Sequence, residues 1–280
     1  MATANRLTRR PLVHRLVINP FVFRLIFTSF ATTRFASQTK LLGGDDWLFF
    51  NYGYEEDPAM GIPLDDADEP HRFFIQLYHR TATQVDLAGK KVLECSCGHG
   101  GGASYLMRTQ RPASYTGLDL NPAGIEFAKN RHHLDNLDFV EGNAQALPFA
   151  DESFDALVNV EASHLYPDVP KFLSEVKRVL RPGGHFLYTD FRPRSEVAEW
   201  ESDLANSGLR QLSTSVIDQN VLRGNEKNAP RKQARISQHH GSAVSRTFAR
   251  YASDMTDWAF NGALRGGEYT YRVYLFTKDQ

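Results

Sequence analysis

Two groups of residues in this sequence have the types and spacing that chemistry requires. The first is residues 92–106, VLECSCGHGGGASYL, where four glycines separate an apolar run from residues that favour a helix. Glycines in such a turn let the chain reverse sharply and let a ligand lie against bare backbone, which a Cβ atom would obstruct. The pattern predicts a strand, a turn and a helix start that hold a nucleotide-like ligand, although many such turns only join a strand to a helix.

The second group is a histidine and an aspartate that each follow an apolar run. His164 comes four residues after Val160, and Asp190 directly follows residues 185–189. An imidazole titrates near neutral pH and can act as a general base, while a carboxylate beside it can orient the ring and stabilise its charged form. We predict that His164 is a catalytic base and Asp190 its partner. The alternatives are a loop histidine bonded to backbone and an aspartate that is structural or binds the substrate.

The elements that would position these residues follow from the apolar pattern. Short apolar runs predict strands, and they alternate with segments of helical spacing, such as residues 169–180, which Gly183 and Gly184 should terminate. Asn121 and Pro122 look like a helix N-cap followed by the first helical residue. The predicted strands begin near residue 92 and continue at 114–118, 137–140, 154–160, 185–189, 209–217 and 267–277.

This alternation is typical of a Rossmann-like, doubly wound and mostly parallel α/β sheet. Ligands of such sheets bind at the carboxyl ends of the strands, so the polar residues predicted there should converge. These residues are Glu94, Asp119, Asn143, Glu161 and Asp190. Gly98, Gly100 and Ala103 also satisfy the pattern G-x-G-x-x-A, and Asp119 follows at close to the spacing of a ribose-binding acid. Dinucleotide binding is therefore an alternative.

The charge of the turn favours a different cofactor. A pyrophosphate needs positive surroundings at the helix start, yet Glu94 precedes the turn and residues 92–106 contain no Lys or Arg. S-adenosylmethionine carries no phosphate, and a carboxylate can offset its sulfonium and ammonium charges. The sequence therefore predicts S-adenosylmethionine, with a nicotinamide-dependent oxidoreductase as the competing enzyme class.

Four motifs together resemble those of class I S-adenosylmethionine-dependent methyltransferases over about residues 91–192. They are VLECSCGHGGG, GLDLN, FVEGNAQALPFADESFD and EVKRVLRPGGHFLYTDF, in this order. NVEASHLYPD and FFNYGY make the chain similar to mycobacterial lipid methyltransferases, namely the phthiotriol and phenolphthiotriol dimycocerosate methyltransferases and the fatty-acid and glycopeptidolipid O-methyltransferases. The resemblance implies O-methylation of a lipid hydroxyl. The alternatives are methylation of a sugar hydroxyl on a glycopeptidolipid or small metabolite, and a membrane-associated binding protein without catalysis.

The resemblance also implies roles for single residues. Gly98 and Gly100 would lie against the methionine and ribose portions of S-adenosylmethionine, Asp119 would accept both ribose hydroxyls, and Asn143 with Ala144 would hold the adenine edge. The remaining predicted cofactor contacts are Glu94, Ser96, Leu120, Glu161 and Tyr54. Many family members have glycine at the position of Ser96 and aspartate at that of Asn143. An amide can still accept or donate at adenine, so the fold prediction is unaffected.

Composition restricts the organisation of the chain. Its 280 residues are 41% hydrophobic, which suffices for one large α/β domain with an extra lobe or for two small domains. A net charge of -1 argues against a general nucleic-acid binder. We predict an N-terminal helical extension and lid at 1–88, a cofactor-binding core at 89–192, and a segment 193–280 that completes a seven-stranded sheet around a helical cap insertion at about 218–265.

The beginning of the chain is basic. Residues 1–44 contain no Asp or Glu but seven Lys and Arg, and Arg15 and Arg24 interrupt the apolar residues. No run reaches the roughly 18 apolar residues of a membrane span, and no signal-peptide pattern is present. A basic amphipathic segment can lie on an anionic membrane surface; helices packed on the main domain, or a transit peptide, are the alternatives. We expect a cytoplasmic protein, with peripheral membrane contact as an open prediction.

The cysteine and histidine pattern does not favour a metal site. Cys95 and Cys97 are too close in sequence for a comfortable disulfide and too few for zinc, so they indicate small buried residues of a reduced, intracellular protein. His239 and His240 are adjacent and therefore point in different directions, without a carboxylate or cysteine at ligand spacing. We predict no bound metal.

Overall fold

A computed structural model describes residues 47–238 and 257–280 of the chain. The strands are β1 (Lys91–Cys95), β2 (Ser114–Asp119), β3 (Leu137–Glu141), β4 (Phe154–Val160), β5 (Leu180–Pro193), β6 (Arg210–Val216) and β7 (Tyr269–Thr277). They form one sheet in the order β3-β2-β1-β4-β5-β7-β6. Strands β1 to β5 run parallel to one another, and β7 is antiparallel to both β5 and β6. The predicted mostly parallel, seven-stranded sheet is confirmed.

Helices cover both faces of this sheet. They are α1 (Arg72–Ala82), α2 (Gly101–Gln110), α3 (Pro122–Arg131), α4 (Val169–Val179), α5 (Val197–Asn206), α6 (Asp218–Gln238) and α7 (257–265), with 3-10 turns at Glu69–His71, Ser163–Leu165 and Arg194–Glu196. Within the part of the chain that the structure describes, none of the helices is both long and apolar enough to span a membrane. The predicted basic segment at 1–44 and the pair His239 and His240 lie outside the described residues.

The central strands are buried because they are covered on both faces. Neighbouring residues of a strand point to opposite faces, so Val92 belongs to the apolar cluster beneath α1 and α2, whereas Leu93 belongs to the cluster beneath α4 and α5. Leu157 and Val158 of β4 divide between the two clusters in the same way. The sheet is therefore a rigid platform whose strand ends can hold a site.

The boundary between α4 and β5 differs from the prediction. The helix ends at Val179, and β5 begins directly at Leu180, which pairs with Phe154 before the register shifts. Gly183, with φ of +76°, lies within this irregular part of the strand. The glycines therefore mark a local irregularity in β5 and do not terminate the helix, because pairing with β4 already begins at residue 180.

An extended segment, residues 47–55, crosses the carboxyl ends of the strands; we call it the strap. Its Gly53 N–H donates to Asn225 Oδ1 at 2.8 Å, and its Glu55 N–H donates to Asn220 O at 3.0 Å, so α6 holds it from one side. Tyr54 N–H donates to Phe73 O of α1 at 2.9 Å. The described parts of the predicted cap insertion, 218–238 and 257–265, are helical and lie on this segment through α6.

We expect Gly224→Ala to weaken the attachment of the strap. A Cβ at Gly224 would lie 2.3 Å from Tyr54 N and 2.4 Å from Gly53 C, and backbone atoms cannot rotate away as side chains can. Overpacking of this kind costs about 1 to 3 kcal/mol of unfolding free energy. Gly124→Ala is a matched helical control, because its nearest atom is the side-chain amide nitrogen of Asn121 at 3.1 Å. Equal denaturant midpoints for the two variants would contradict this prediction.

Candidate active site

The glycine turn between β1 and α2 has the geometry that its sequence predicts. Gly98 and Gly100 have φ of +57° and +77°, in the left-handed region that favours glycine. A Cβ at Gly98 would lie 2.9 Å from the ring of Phe50 in the strap, whereas one at Gly100 would lie 2.6 Å from the ring of Phe139 in β3. Gly98 therefore faces the strap, and Gly100 faces the interior of the domain.

Asp119 joins this turn to the end of β2. Its Oδ2 accepts the Gly98 N–H at 2.9 Å, and its Oδ1 accepts the Asn121 N–H at 2.8 Å. Burial raises the pKa of the Asp119 carboxyl, and the backbone N–H donors oppose that rise. The following residue, Leu120, is 49% exposed, which leaves an apolar side chain beside the carboxylate. Helix α3 begins at Pro122 as predicted, but the side chain of Asn121 makes no cap hydrogen bond.

Ser96 lies at the start of the turn, and its backbone conformation is uncommon for a residue with a Cβ. Its φ is +61°, again in the region that glycine adopts most readily. The Ser96 hydroxyl lies 2.6 Å from the hydroxyl of Tyr166, which also accepts from Asn159 Nδ2 at 3.0 Å. The serine is thus a hydrogen-bonding member of the turn, in a conformation that costs a residue with a Cβ more than it costs glycine.

The loop after β3 brings the two predicted adenine contacts beside Asp119. Gly142 N–H donates to the Asp119 carbonyl at 2.9 Å. Asn143 is exposed, and its Oδ1 accepts the backbone N–H of Gln145 at 2.9 Å, while Ala144 is buried. The side-chain amide of Asn143 is therefore oriented by its own loop at the edge of the site.

Glu94 has a different environment from the one that its position in the sequence suggested. It is fully buried, its Oε1 accepts from Tyr78 of α1 at 2.9 Å, and its Oε2 accepts from Tyr115 of β2 at 2.7 Å. Burial raises its pKa to about 7 against the effect of these hydroxyls. The offset of cofactor charge by Glu94 stays a prediction, and the contacts of both carboxylate oxygens show that Glu94 would act from inside the core.

The strap brings Tyr52 to the strand ends, whereas the predicted cofactor contact Tyr54 lies in the core. Tyr54 is 2% exposed, belongs to the apolar core and donates its hydroxyl to Glu56 Oε1 at 3.1 Å. Tyr52 instead reaches the end of β4, where its N–H donates to Glu161 Oε2 at 2.7 Å and its ring stacks on Phe260 at 3.8 Å. The structure therefore places Tyr54 in the packing beneath the strap and Tyr52 at the site.

Glu161 directly follows β4 and has φ of +51°, which is uncommon for a residue with a Cβ. Its Oε2 accepts both the Tyr52 N–H and the hydroxyl of Tyr271 in β7, the latter at 2.6 Å. Burial raises its pKa to about 8; the two donors oppose this rise, and the charge of Asp190 adds to it. The carboxyl therefore binds a proton more readily than an exposed glutamate, close to the predicted catalytic pair.

His164 and Asp190, which the sequence analysis paired, are in direct contact. His164 lies in the 3-10 turn after β4, and its Nδ1 is 2.8 Å from Asp190 Oδ1. Its backbone N–H also donates to Asp190 Oδ2 at 2.9 Å. A carboxylate can only accept hydrogen bonds, so the neutral imidazole carries its proton on Nδ1, and Nε2 is the basic nitrogen. This arrangement is that of a general base oriented by a buried carboxylate.

Two residues of this cluster, Ser163 and Arg192, were not identified from the sequence. Ser163 Oγ donates to Asp190 Oδ2 at 2.6 Å, and Arg192 Nη1 lies 3.1 Å from the same oxygen. Burial alone would raise the pKa of Asp190, but Arg192 and His164 lower it well below the ordinary range. Arg192 could have been found, because residues two apart in a strand share a face. Nothing in the sequence distinguishes Ser163 from other serines.

A cavity of about 260 Å³ opens beside the pair, where the end of β5 meets α4 and α5. Phe191, Trp200 and Tyr269 supply aromatic walls, and His164 lies in the lining. The ring of Phe191 is 4.3 Å from that of His164. Acidic side chains from α5, the turn before it and the start of α4 line the cavity as well, namely Asp168, Glu196, Glu199 and Asp203. The cavity therefore offers aromatic contacts within a mainly polar lining next to the imidazole.

Comparison with known proteins identifies close relatives. Residues 93–188 match a family model described as a methyltransferase domain. The chain is 56% identical over 241 residues to the phthiotriol/phenolphthiotriol dimycocerosates methyltransferase of Mycobacterium tuberculosis strain H37Rv, covering 86% of this chain and 89% of that protein. It is 52% identical over 240 residues to the fatty-acid O-methyltransferase of Mycolicibacterium smegmatis, covering 86% of both.

Solved structures agree at the level of the fold. A putative sarcosine dimethylglycine methyltransferase from Galdieria sulphuraria superposes with a TM-score of 0.67 at 20% identity, covering 88% of this chain and 98% of that one. The resemblance inferred from the four sequence motifs is confirmed by these comparisons, and so is the Rossmann-like architecture.

Proposed function

The chain belongs to the class I S-adenosylmethionine-dependent methyltransferases, and from this premise we propose that it methylates a hydroxyl of a lipid acceptor. The contact between His164 and Asp190 beside the cavity is the observation that carries the proposal. It provides a base where the carboxyl ends of β4 and β5 meet. Membership of this family also removes the nicotinamide-dependent oxidoreductase from consideration.

The residues at the glycine turn fit S-adenosylmethionine. A Cβ at Gly98 would meet the ring of Phe50 in the strap, so the turn must keep a glycine there, and Asp119 provides a carboxylate for hydroxyl groups beside the exposed Leu120. Residues 92–106 contain no Lys or Arg that would bind a pyrophosphate. We assign cofactor binding to Gly98, Asp119, Leu120 and Asn143. S-adenosylmethionine supplies the methyl group as an electrophile on its sulfonium sulfur.

The remaining chemistry falls to His164 and Asp190. An alcohol is a weak nucleophile, so its proton must leave as the new carbon–oxygen bond forms. His164 Nε2 accepts this proton, and Asp190 stabilises the resulting imidazolium through the bond to Nδ1. The imidazolium then returns its proton to solvent before the next turnover. The cavity wall holds the acceptor so that its hydroxyl meets the imidazole, because alignment contributes to the rate as much as basicity does.

Three observations support a lipid as the acceptor. The relatives are named for phthiotriol lipids and for fatty acids. The cavity lining includes Phe191, Trp200 and Tyr269, which an apolar part of the acceptor can contact, while its acidic residues suit the hydroxyl-bearing part. Residues 1–44 are basic and lack acids, so the proposal includes peripheral contact of this segment with an anionic membrane surface, where a lipid acceptor would be met.

The test is incubation with S-adenosylmethionine labelled in its methyl group and a mycobacterial lipid extract in vesicles. Label should enter one lipid species, and it should enter faster from anionic than from neutral vesicles, because basic residues bind anionic surfaces. Label found only in protein or in water-soluble products would reject a lipid acceptor. Equal rates from both kinds of vesicle would reject the membrane contact but leave the chemistry in place.

A further inference from the structure

The carboxylate of Asp190 is held by an unusually complete set of donors. Its Oδ1 accepts from His164 Nδ1 at 2.8 Å and from the Phe191 N–H at 2.9 Å. Its Oδ2 accepts from Ser163 Oγ at 2.6 Å and from the His164 N–H at 2.9 Å, and it forms the ion pair with Arg192 at 3.1 Å. The orientation of the carboxylate toward the imidazole is therefore fixed from several sides.

Arg192 is also held in place, and only 5% of it is exposed to solvent. Its Nη2 donates to Ser163 Oγ at 2.8 Å, its Nη1 donates to the Phe191 carbonyl at 2.7 Å, and its Cζ lies 4.7 Å above the ring of Trp200. A buried guanidinium is costly unless it is paired, and here its partner is Asp190. The positive charge is therefore held beside the carboxylate and not in solvent.

The positive charge of Arg192 matters because, without it, the His164–Asp190 pair would bind a proton more tightly. A buried carboxylate binds a proton more tightly than one in water, and an imidazole that faces an uncompensated buried carboxylate also retains its proton. The two groups are coupled, so either effect leaves the His164–Asp190 pair with an extra proton near neutral pH. A protonated pair cannot accept the proton of a hydroxyl. The guanidinium of Arg192 opposes both effects.

Other ionisable groups face the pair, but they contribute little positive charge. Burial raises the pKa of Glu161 to about 8, and Glu199 and Asp203 of α5 line the cavity beside His164. Burial also raises the pKa values of Tyr271, which donates to Glu161, and of Tyr188, whose hydroxyl contacts Ser163, so both hydroxyls stay neutral. Arg272 pairs with Asp190 through the backbone, but its guanidinium forms an ion pair with Glu201, and Glu196 acts on Arg192 from the cavity side.

We propose that Arg192 is a positioning residue that keeps the His164–Asp190 pair ready to accept a proton at neutral pH. It does so by neutralising Asp190 while the fork of its guanidinium holds Ser163 and the carboxylate in place. This proposal rests on the proposed role of His164 as the general base. In this proposal Arg192 sets the pH range over which the enzyme works, and it does not contact the reacting atoms.

The test is the pH dependence of kcat/KM for the acceptor in Arg192→Met and Arg192→Lys. In Arg192→Met the acid limb should move up by about one pH unit or more, with about a tenfold loss of activity near neutral pH that largely recovers at alkaline pH. Arg192→Lys keeps the charge, so its acid limb should stay within about half a unit of the wild type. Arg194→Met is the matched control, because Arg194 is half-exposed and faces Asp218 at 3.6 Å.

A loss of activity by the same factor at every pH, with the acid limb unmoved, would overturn the proposal. Should Arg192→Met not fold, Arg192→Gln takes its place, because glutamine lacks the charge but keeps a donor for Ser163 Oγ, and its acid limb should also move up. An unmoved acid limb in a folded variant that lacks the charge would overturn the proposal. Full activity of His164→Gln would instead reject the proposed base, a result distinct from an unmoved acid limb.

Discussion

Replacing His164 by glutamine should lower kcat by about 10²-fold to 10⁴-fold, the range that general-base catalysis contributes. Glutamine is close in size and can still donate to Asp190 Oδ1, which the imidazole contacts at 2.8 Å, so the fold of the cluster should survive. It cannot accept the proton of the acceptor hydroxyl. The glycine turn and Asp119 are untouched, so the dissociation constant of S-adenosylmethionine should stay within about twofold of the wild type.

The control for this experiment is His79→Gln. His79 is a half-buried histidine of α1 whose Nδ1 lies 2.8 Å from the hydroxyl of Tyr105. Its loss should alter stability but not the rate of methyl transfer. The deficit of His164→Gln should also be smaller for an acceptor with a more acidic hydroxyl, because such a group needs less help from a base. A rate within a few fold of the wild type for every acceptor would remove His164 from the chemical step.

The strand ends could be predicted because the sheet is parallel. In such a sheet, polar residues that follow apolar runs are brought to one edge by topology alone, whatever the details of packing. Asp119 and Asp190 were found in this way, and the structure joins each to a predicted neighbour, Gly98 in one case and His164 in the other. The spacing of glycines likewise predicted the turn, because positive φ is a local property of the backbone.

What the sequence could not provide depends on contacts between distant elements. The carboxylate of Glu94 is oriented by Tyr78 and Tyr115, which lie 16 and 21 residues away in the chain, so its position beside the turn gave no indication of its partners. The strap has no regular repeat, and it lies so close to α6 that a Cβ at Gly224 would be 2.3 Å from Tyr54 N. The period of apolar residues, the charge and the residue spacing describe neighbouring residues only. None of them predicts which distant elements come into contact.

The second large effect is expected at Asp119. Asp119→Asn removes the negative charge and leaves an amide where the Gly98 and Asn121 N–H groups need acceptors. In the proposed binding mode, the ribose hydroxyls lose the same acceptor. Hydrogen bonds to a charged group contribute about 1.5 to 3 kcal/mol, so the dissociation constant of S-adenosylmethionine should rise by about 10-fold to 100-fold. Isothermal titration with the cofactor measures this directly.

Comparing the change in the dissociation constant of the cofactor with the change in kcat tests the role of Asp119 more sharply than the dissociation constant alone. The ribose is remote from the reacting methyl group, so its contacts should be equally strong in the ground state and the transition state, and kcat at saturating cofactor should fall by no more than a few fold. Asp155→Asn is the matched control, because this carboxylate accepts the Lys91 N–H at 2.7 Å at the opposite end of β1. It should affect stability and leave cofactor affinity unchanged. If Asp119→Asn instead lowered kcat at an unchanged dissociation constant, Asp119 would act on the acceptor or on the turn, and the cofactor would have to be held by other residues at this edge of the sheet.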